Sequence, residues 1–401
     1  MARTARWMAG GTAVAAAGAG MAWLWRHQEE VAFRRPMNEW TFTHMSTVLP
    51  VADVPAAAQV RTLPSGDMPS GFTYEFRGTR RTLDELHART HTTGFAVLHR
   101  GRLVHESYPG RFGGPARRFQ LFSLTKSVTS VLLGIALAEG TVGSLDDKVV
   151  TYCPELAGSA FDGPTIADLL DMTSGAGGVE DYEDPQAPVN RLMRAVTGRG
   201  SILDVVRSLD TGAAPGTFFN YSTLDTQVLG WLVEAATGMP LAQYASERLW
   251  SRIGAETAAY YGLSRSRPRT AVGGGSFNAT VRDMARVGLL MARGGAVDGE
   301  QIVPKEWVER GRGSEKEILR PGALSELYPA HYGYANQWWT LGGEHRAFTG
   351  LGIYGQFLWV DPVADVVVVK TSAWPVAEDP DRDAETVAAF SALVTHLATA
   401  E

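Results

Sequence analysis

The sequence predicts an α+β fold: an antiparallel sheet flanked by helices, with a helical segment inserted between the two halves of the sheet. Three observations predict it. Residues 94–108 and 356–371 each read as a pair of apolar strands, and the long stretch between them is dominated by helical and loop patterns. A one-sided apolar helix closes the chain, so strands from both ends must meet across the intervening helices.

The elements follow in order. Arg3 and Arg6 precede an uncharged run from Trp7 to Trp25, long enough to span a bilayer and bounded by tryptophans. Residues 1–25 are therefore expected to anchor the protein to a membrane, with the remainder on the extracytoplasmic side. A cleaved export signal, with Ala15-Ala16-Ala17 near the cleavage site, is the alternative. Arginines flank both ends of the run, so loop charge does not set its orientation. Residues 26–70 carry Pro36, Pro50, Pro55, Pro64 and Pro69 and read as an irregular lead-in.

Residues 71–140 and 341–401 are expected to form the sheet domain, and 141–340 a mainly helical domain. Within the first, GFAVLHRGRLVHESY at 94–108 predicts a hairpin turning at Arg100-Gly101. The helix that follows ends near Gly140. Leu224–Ala236 is strongly helical with Thr237-Gly238 as its stop, and Val281–Gly294 is a further helix. QFLWVD and VVVVKT, at 356–361 and 366–371, predict a second hairpin around Asp361-Pro362. The last helix, 384–400, places Val387, Phe390, Val394 and Leu397 on one face.

Composition excludes several functions. A net charge of −6 with no basic run gives no basis for nucleic-acid binding. Cys153 is the single cysteine, so neither an intrachain disulfide nor a cysteine-based metal site is available. His87 and His91 have helical spacing but no acidic third ligand, and are expected at the surface. No metal and no cofactor is expected, and nothing in the sequence sets an oligomeric state.

The chemistry is carried by Ser123-Leu124-Thr125-Lys126. Residues three apart share a helix face, which brings an amine within reach of a hydroxyl. Serine needs such a neighbour to become a nucleophile. The stretch that follows, VTSVLLGIAL at 128–137, is apolar nearly all round and suits a buried helix. Burial is the condition that lowers a lysine's pKa towards the range of a base. Lys126 is also one of only five lysines in the chain, so its place in that helix stands out against chance.

Two further segments supply what a serine–lysine pair lacks. Tyr221, in the loop FFNYST before the Leu224 helix, can carry a proton if a nearby cation lowers its pKa. The glycines of FTGLGIYGQ (348–356) permit close backbone approach at a strand end. The N–H groups of Ser123 and Ile353 are candidates for an oxyanion hole, with Leu351 the alternative if the strand register shifts.

Together these segments resemble the serine β-lactamase and penicillin-binding protein superfamily, in its class C-like branch. SLTK matches the Ser-x-x-Lys motif, and Tyr221-Ser222-Thr223 matches the tyrosine motif with threonine in place of asparagine. Phe348-Thr349-Gly350 stands where a Lys-Thr-Gly-type strand is expected. GIYGQ (352–356), TIADLLDMTSG (165–175), DYEDP (181–185), GGGSFNATVRDMARVG (273–288) and YGYANQWW (332–339) resemble the 6-aminohexanoate-dimer hydrolase subgroup.

The resemblance covers residues 40–400 and implies a β-lactamase/DD-peptidase-like fold. It implies Ser123 as the acylated nucleophile, Lys126 and Tyr221 sharing its proton, and Ser123 and Ile353 as oxyanion donors. Tyr182 would hydrogen-bond the scissile amide. The acidic residues of the 180–184 loop, Asp181 among them, would favour a cationic substrate end. Trp338 and Trp339 could wall an apolar cleft, and Gly352 would line it. The expected partner is a small ester or linear amide. A D-amino-acid peptidase or penicillin-binding enzyme, and a membrane-anchored sensor that does not turn over, are the competing expectations.

Overall fold

The computed structural model describes residues 32–324 and 328–399. The expected N-terminal anchor lies outside them. Among the described residues, no helix is long and apolar enough to cross a membrane.

The elements that position the site are α1 (Leu83–Arg89), β1 (Thr92–His99), β2 (Arg102–Ser107), α2 (Leu124–Ala138), α3 (Thr223–Thr237) and α4 (Val281–Ala292). They are followed by β3 (Gly333–Ala335), β4 (Trp338–Gly342), β5 (Ala347–Gly352), β6 (Gln356–Asp361), β7 (Val366–Ser372) and α5 (Pro380–Thr399). The seven strands form one sheet in the order β3-β4-β5-β6-β7-β1-β2, antiparallel throughout. The chain ends meet at β7–β1, where Val368 pairs with Val97.

Both predicted hairpins form. The first turns through Arg100 and Gly101, at φ 52° and 72°, the left-handed pair of a tight β-hairpin turn. Strands β6 and β7 are apolar on both faces because both faces are covered. Leu358, Val360, Val367 and Val369 join the core that contains α2 and α4. Phe357, Trp359, Val366 and Val368 pack with Phe390 and Leu393 of α5.

Several boundaries differ from expectation. The sheet already includes residues 333–342, short strands whose periodicity is hidden by the aromatic run around them. The lead-in supplies a strand, Val51–Val54, paired with Ala259–Gly262 in a second, four-stranded sheet. Helix α5 starts at Pro380 rather than Ala384, since proline's fixed φ and missing N–H suit a first helical turn. His87 is not a surface residue. It is buried with its ring 5.0 Å from that of Phe95, and burial, aided by nearby Lys370, pushes its pKa down to about 4.

Every residue of α2 from Leu124 to Ala136 is buried, polar ones included. The polar ones are satisfied from outside the helix: Thr129 donates to the Gly273 carbonyl, Ser130 to that of Asn336 and Ser127 to that of Gln337. These bonds pin α2 between α3 and the sheet, so its first residues open at the junction of the two.

Candidate active site

Ser123 is the residue preceding α2, with φ −64° and ψ −14°. A capping serine ordinarily adopts extended backbone and spends its hydroxyl on the helix's free N–H groups. Ser123 has helical backbone and makes no such cap bond, which leaves Oγ for other partners. Phe122, just before it, sits at φ 48° in the left-handed region. For a bulky residue this costs on the order of 1–3 kcal/mol. Packing against Phe42 and Tyr354, at ring distances of 4.8 and 5.3 Å, holds the residue in place.

Lys126 is 1% exposed, and its amine has three oxygen neighbours. Nζ lies 2.8 Å from Ser123 Oγ, 2.9 Å from Thr223 Oγ1 and 2.9 Å from the Gly274 carbonyl. Burial lowers its pKa to about 8, against the opposing pull of Glu180 and Asp225. At that value a useful fraction of the amine is neutral near pH 7 to 8.

Tyr221 lies two residues before α3. Its side chain neighbours that of Ser123, and its ring centroid is 4.9 Å from Lys126 Nζ. The expected lowering of its pKa does not occur. Burial, followed by the charge of Glu180, raises it well above 10, with only the neighbouring Ser123 side chain acting downward. A phenol so shifted stays protonated near pH 7, where it can donate a proton, and of the two groups only the amine is available there to accept one.

The end of β5 reaches Ser123 because two glycines let it. A Cβ on Gly352 would lie 2.2 Å from the Leu121 carbonyl oxygen, and one on Gly350 would lie 2.2 Å from Leu124 Cδ1. No other residue permits the strand to run this close to the start of α2. The register pairs Leu351 with Phe357 and Gly352 with Gln356, so Ile353 is the first turn residue beyond the ladder. Ser123, Gly352 and Ile353 line one cleft.

Other expected site residues are placed differently. Tyr182 lines the cleft, its hydroxyl bonded to Glu180 at 2.7 Å. Asp181 is exposed outside the cleft lining and accepts the N–H groups of Glu183 and Asp184, stabilising its own turn. Glu180 faces inward and is occupied by three hydrogen bonds. The acidic side chains that border the cleft are instead Glu378 and Asp379, just before α5, and Asp383 in its first turn. Trp338 is wholly buried with its ring against Phe348, because alternation along β4 turns it to the core. Its neighbour Trp339 faces the cleft, 5.4 Å from the ring of Tyr221. Sequence alone gave both tryptophans equal standing, and only the strand's pleat separates them.

A serine preceding a buried helix, a lysine one turn on, and a glycine-rich strand end alongside define the architecture of serine β-lactamases and penicillin-binding proteins. A beta-lactamase family model matches residues 79–392, and the chain belongs to that family. It is 34% identical over 354 residues to the 6-aminohexanoate-dimer hydrolase of Paenarthrobacter ureafaciens, covering 86% of this chain and 87% of that one. A provisionally assigned 6-aminohexanoate-dimer hydrolase from Bacillus anthracis has a similar structure. Its TM-score is 0.82 at 29% identity, over 92% of this chain and 96% of that one. A family VIII carboxylesterase shares the fold at TM-score 0.60 and 18% identity, over 78% of this chain and 96% of that one.

Proposed function

We propose that this β-lactamase-fold hydrolase cleaves small esters or linear amides by acyl transfer through Ser123. The observation that carries the reading is the buried Lys126 amine 2.8 Å from the Ser123 hydroxyl. Neutral Lys126 takes the Oγ proton as Oγ bonds to the substrate carbonyl carbon. The N–H groups of Ser123 and Ile353 receive the developing oxyanion. Tyr221 passes a proton to the departing amine or alcohol, and the same groups then activate water to release the acyl group.

The cleft suggests the substrate. Trp339, Tyr221, Tyr328 and Phe357 offer an apolar wall for a linear chain. Glu378, Asp379 and Asp383 make one border acidic, which favours an amine-bearing end. The names of the relatives, an amide hydrolase over most of the chain and a carboxylesterase by fold, agree with this substrate class. A D-amino-acid peptidase is less well supported. Where a Lys-Thr-Gly-type strand would carry its lysine stands Phe348, wholly buried.

The test is intact-protein mass spectrometry after incubation with a panel of p-nitrophenyl esters and linear ω-amino amides. An acyl adduct mapped to Ser123, with product release, supports the reading. Turnover with no adduct at Ser123 and undiminished rates in Ser123→Ala would overturn it.

A further inference from the structure

The hydrogen bonds around Lys126 have a directional logic that depends on Glu180. The carboxylate of Glu180 accepts three donors: its Oε2 takes the Thr223 N–H at 2.6 Å, and its Oε1 takes the Thr223 hydroxyl at 2.8 Å and the Tyr182 hydroxyl at 2.7 Å. A threonine hydroxyl has one proton to give. With that proton committed to Glu180, Thr223 Oγ1 can only accept from Lys126 Nζ, 2.9 Å away. The Gly274 carbonyl, also 2.9 Å from Nζ, can only accept as well.

A neutral amine has two N–H bonds and one lone pair. Two of the three oxygen neighbours of Lys126 demand a hydrogen, so the lone pair is left facing the third, Ser123 Oγ. We propose that Glu180 is a positioning residue that, by holding the Thr223 hydroxyl as an acceptor, aims the lone pair of Lys126 at the nucleophile. Without this carboxylate, Thr223 can rotate its hydrogen towards Nζ and occupy the lone pair itself. Glu180 touches no reacting atom in this role. It reaches the lone pair through Thr223, while its charge separately raises the pKa of Lys126 and its bond to Tyr182 ties the same carboxylate to the cleft wall. The inference rests on the reading of Ser123 and Lys126 given above.

The test is a double-mutant cycle on the rate at which a fluorophosphonate labels Ser123. In that step the Oγ–P bond forms, the P–F bond breaks with loss of fluoride, and the Oγ proton passes to Lys126. Deacylation plays no part. Labelling rates are compared on the high-pH plateau, where the Glu180 charge no longer alters how much of the Lys126 amine is neutral, in the wild type, Glu180→Met, Thr223→Val and the double variant, each checked for fold by circular dichroism and thermal melting. Glu180→Met, which leaves no acceptor for the Thr223 hydroxyl, is expected to slow labelling by about tenfold or more. In the Thr223→Val background the same change is expected to have little effect, since there is no hydroxyl left to orient. A role confined to docking the 180–184 loop would slow labelling equally in both backgrounds and would overturn the proposal. So would a wild-type rate in Glu180→Met. If Glu180→Met does not fold, Glu180→Asp, too short to reach Thr223 Oγ1 and Tyr182 together, takes its place in the cycle. Wild-type enzyme that carries the label elsewhere than Ser123 removes the acyl-transfer reading, and this inference with it.

Discussion

The buried Lys126 amine lies 2.8 Å from Ser123 Oγ, and Ser123 in turn lines the open cleft. The amine sits among a hydroxyl, a second hydroxyl and a carbonyl, and among the described residues no carboxylate is in hydrogen-bond contact with it. Burial without a salt bridge is what makes a lysine available as a base.

Removing either member of the pair is expected to stop the reaction. Ser123→Ala and Lys126→Ala should each reduce kcat/KM for p-nitrophenyl butyrate by about a thousandfold or more while leaving the melting transition cooperative. Steady-state assay beside circular dichroism checks this.

The same pair predicts a pH dependence. Lys126 accepts a proton only when neutral, and burial sets its pKa at about 8. The kcat/KM profile should therefore rise with pH through about 8 and level off above it. Tyr221, raised well above 10, stays protonated across that window. A profile that falls between pH 7 and 9 would reverse the assignment of base and acid.

Gly352→Ala places a methyl group 2.2 Å from the Leu121 carbonyl oxygen. The strand end must move, at a cost of about 1–3 kcal/mol. Displacement of the Ile353 N–H should lower kcat by about a hundredfold with little change in KM. Denaturant titration and kinetics on one sample separate the two effects.

The adjacent tryptophans should divide stability from binding. Trp338→Ala opens a cavity beside Phe348 and should cost about 3–5 kcal/mol, with KM near wild type in the folded fraction. Trp339→Ala removes part of the cleft wall, so its larger effect should be a raised KM that grows with acyl-chain length.

Lys370 of β7 offers a test of stability. It is fully buried, donates to Ser372 Oγ at 2.6 Å, and lies 5.5 Å from the rings of Phe357 and Trp374. Burial lowers its pKa from 10.5 to about 7. Between those values the unfolded chain binds the additional proton, so this residue's contribution to stability rises with pH from about 7 towards 10.5. Lys370→Met should raise the melting temperature at pH 7, and the gain over wild type should shrink by pH 10. A gain that grows with pH would contradict the sign.

Much of the candidate site was legible in the sequence. The spacing of Ser123 and Lys126, the apolar run behind them and the glycines before Gln356 are local signals, and local signals survive in a sequence. The role of Thr223 was not legible in this way. In the sequence it is only a threonine standing where the tyrosine motif has asparagine, whereas its hydroxyl accepts one of the Lys126 hydrogen bonds. The acidic loop misled in the opposite direction. Its charge is plain in the sequence, but Glu180 turns inward and Asp181 serves its own turn, while Glu378 at the far end of the chain borders the cleft.

The order of residues alone determined the class of fold, the helix that begins after Ser123 and both predicted hairpins, because helical and strand periodicity are written into neighbouring positions. The tertiary structure decided which tryptophan meets the cleft, which carboxylates face it, and which partners complete the coordination of the Lys126 amine. Those choices depend on residues about a hundred or more positions apart meeting in space, and no pattern along the chain encodes such a meeting.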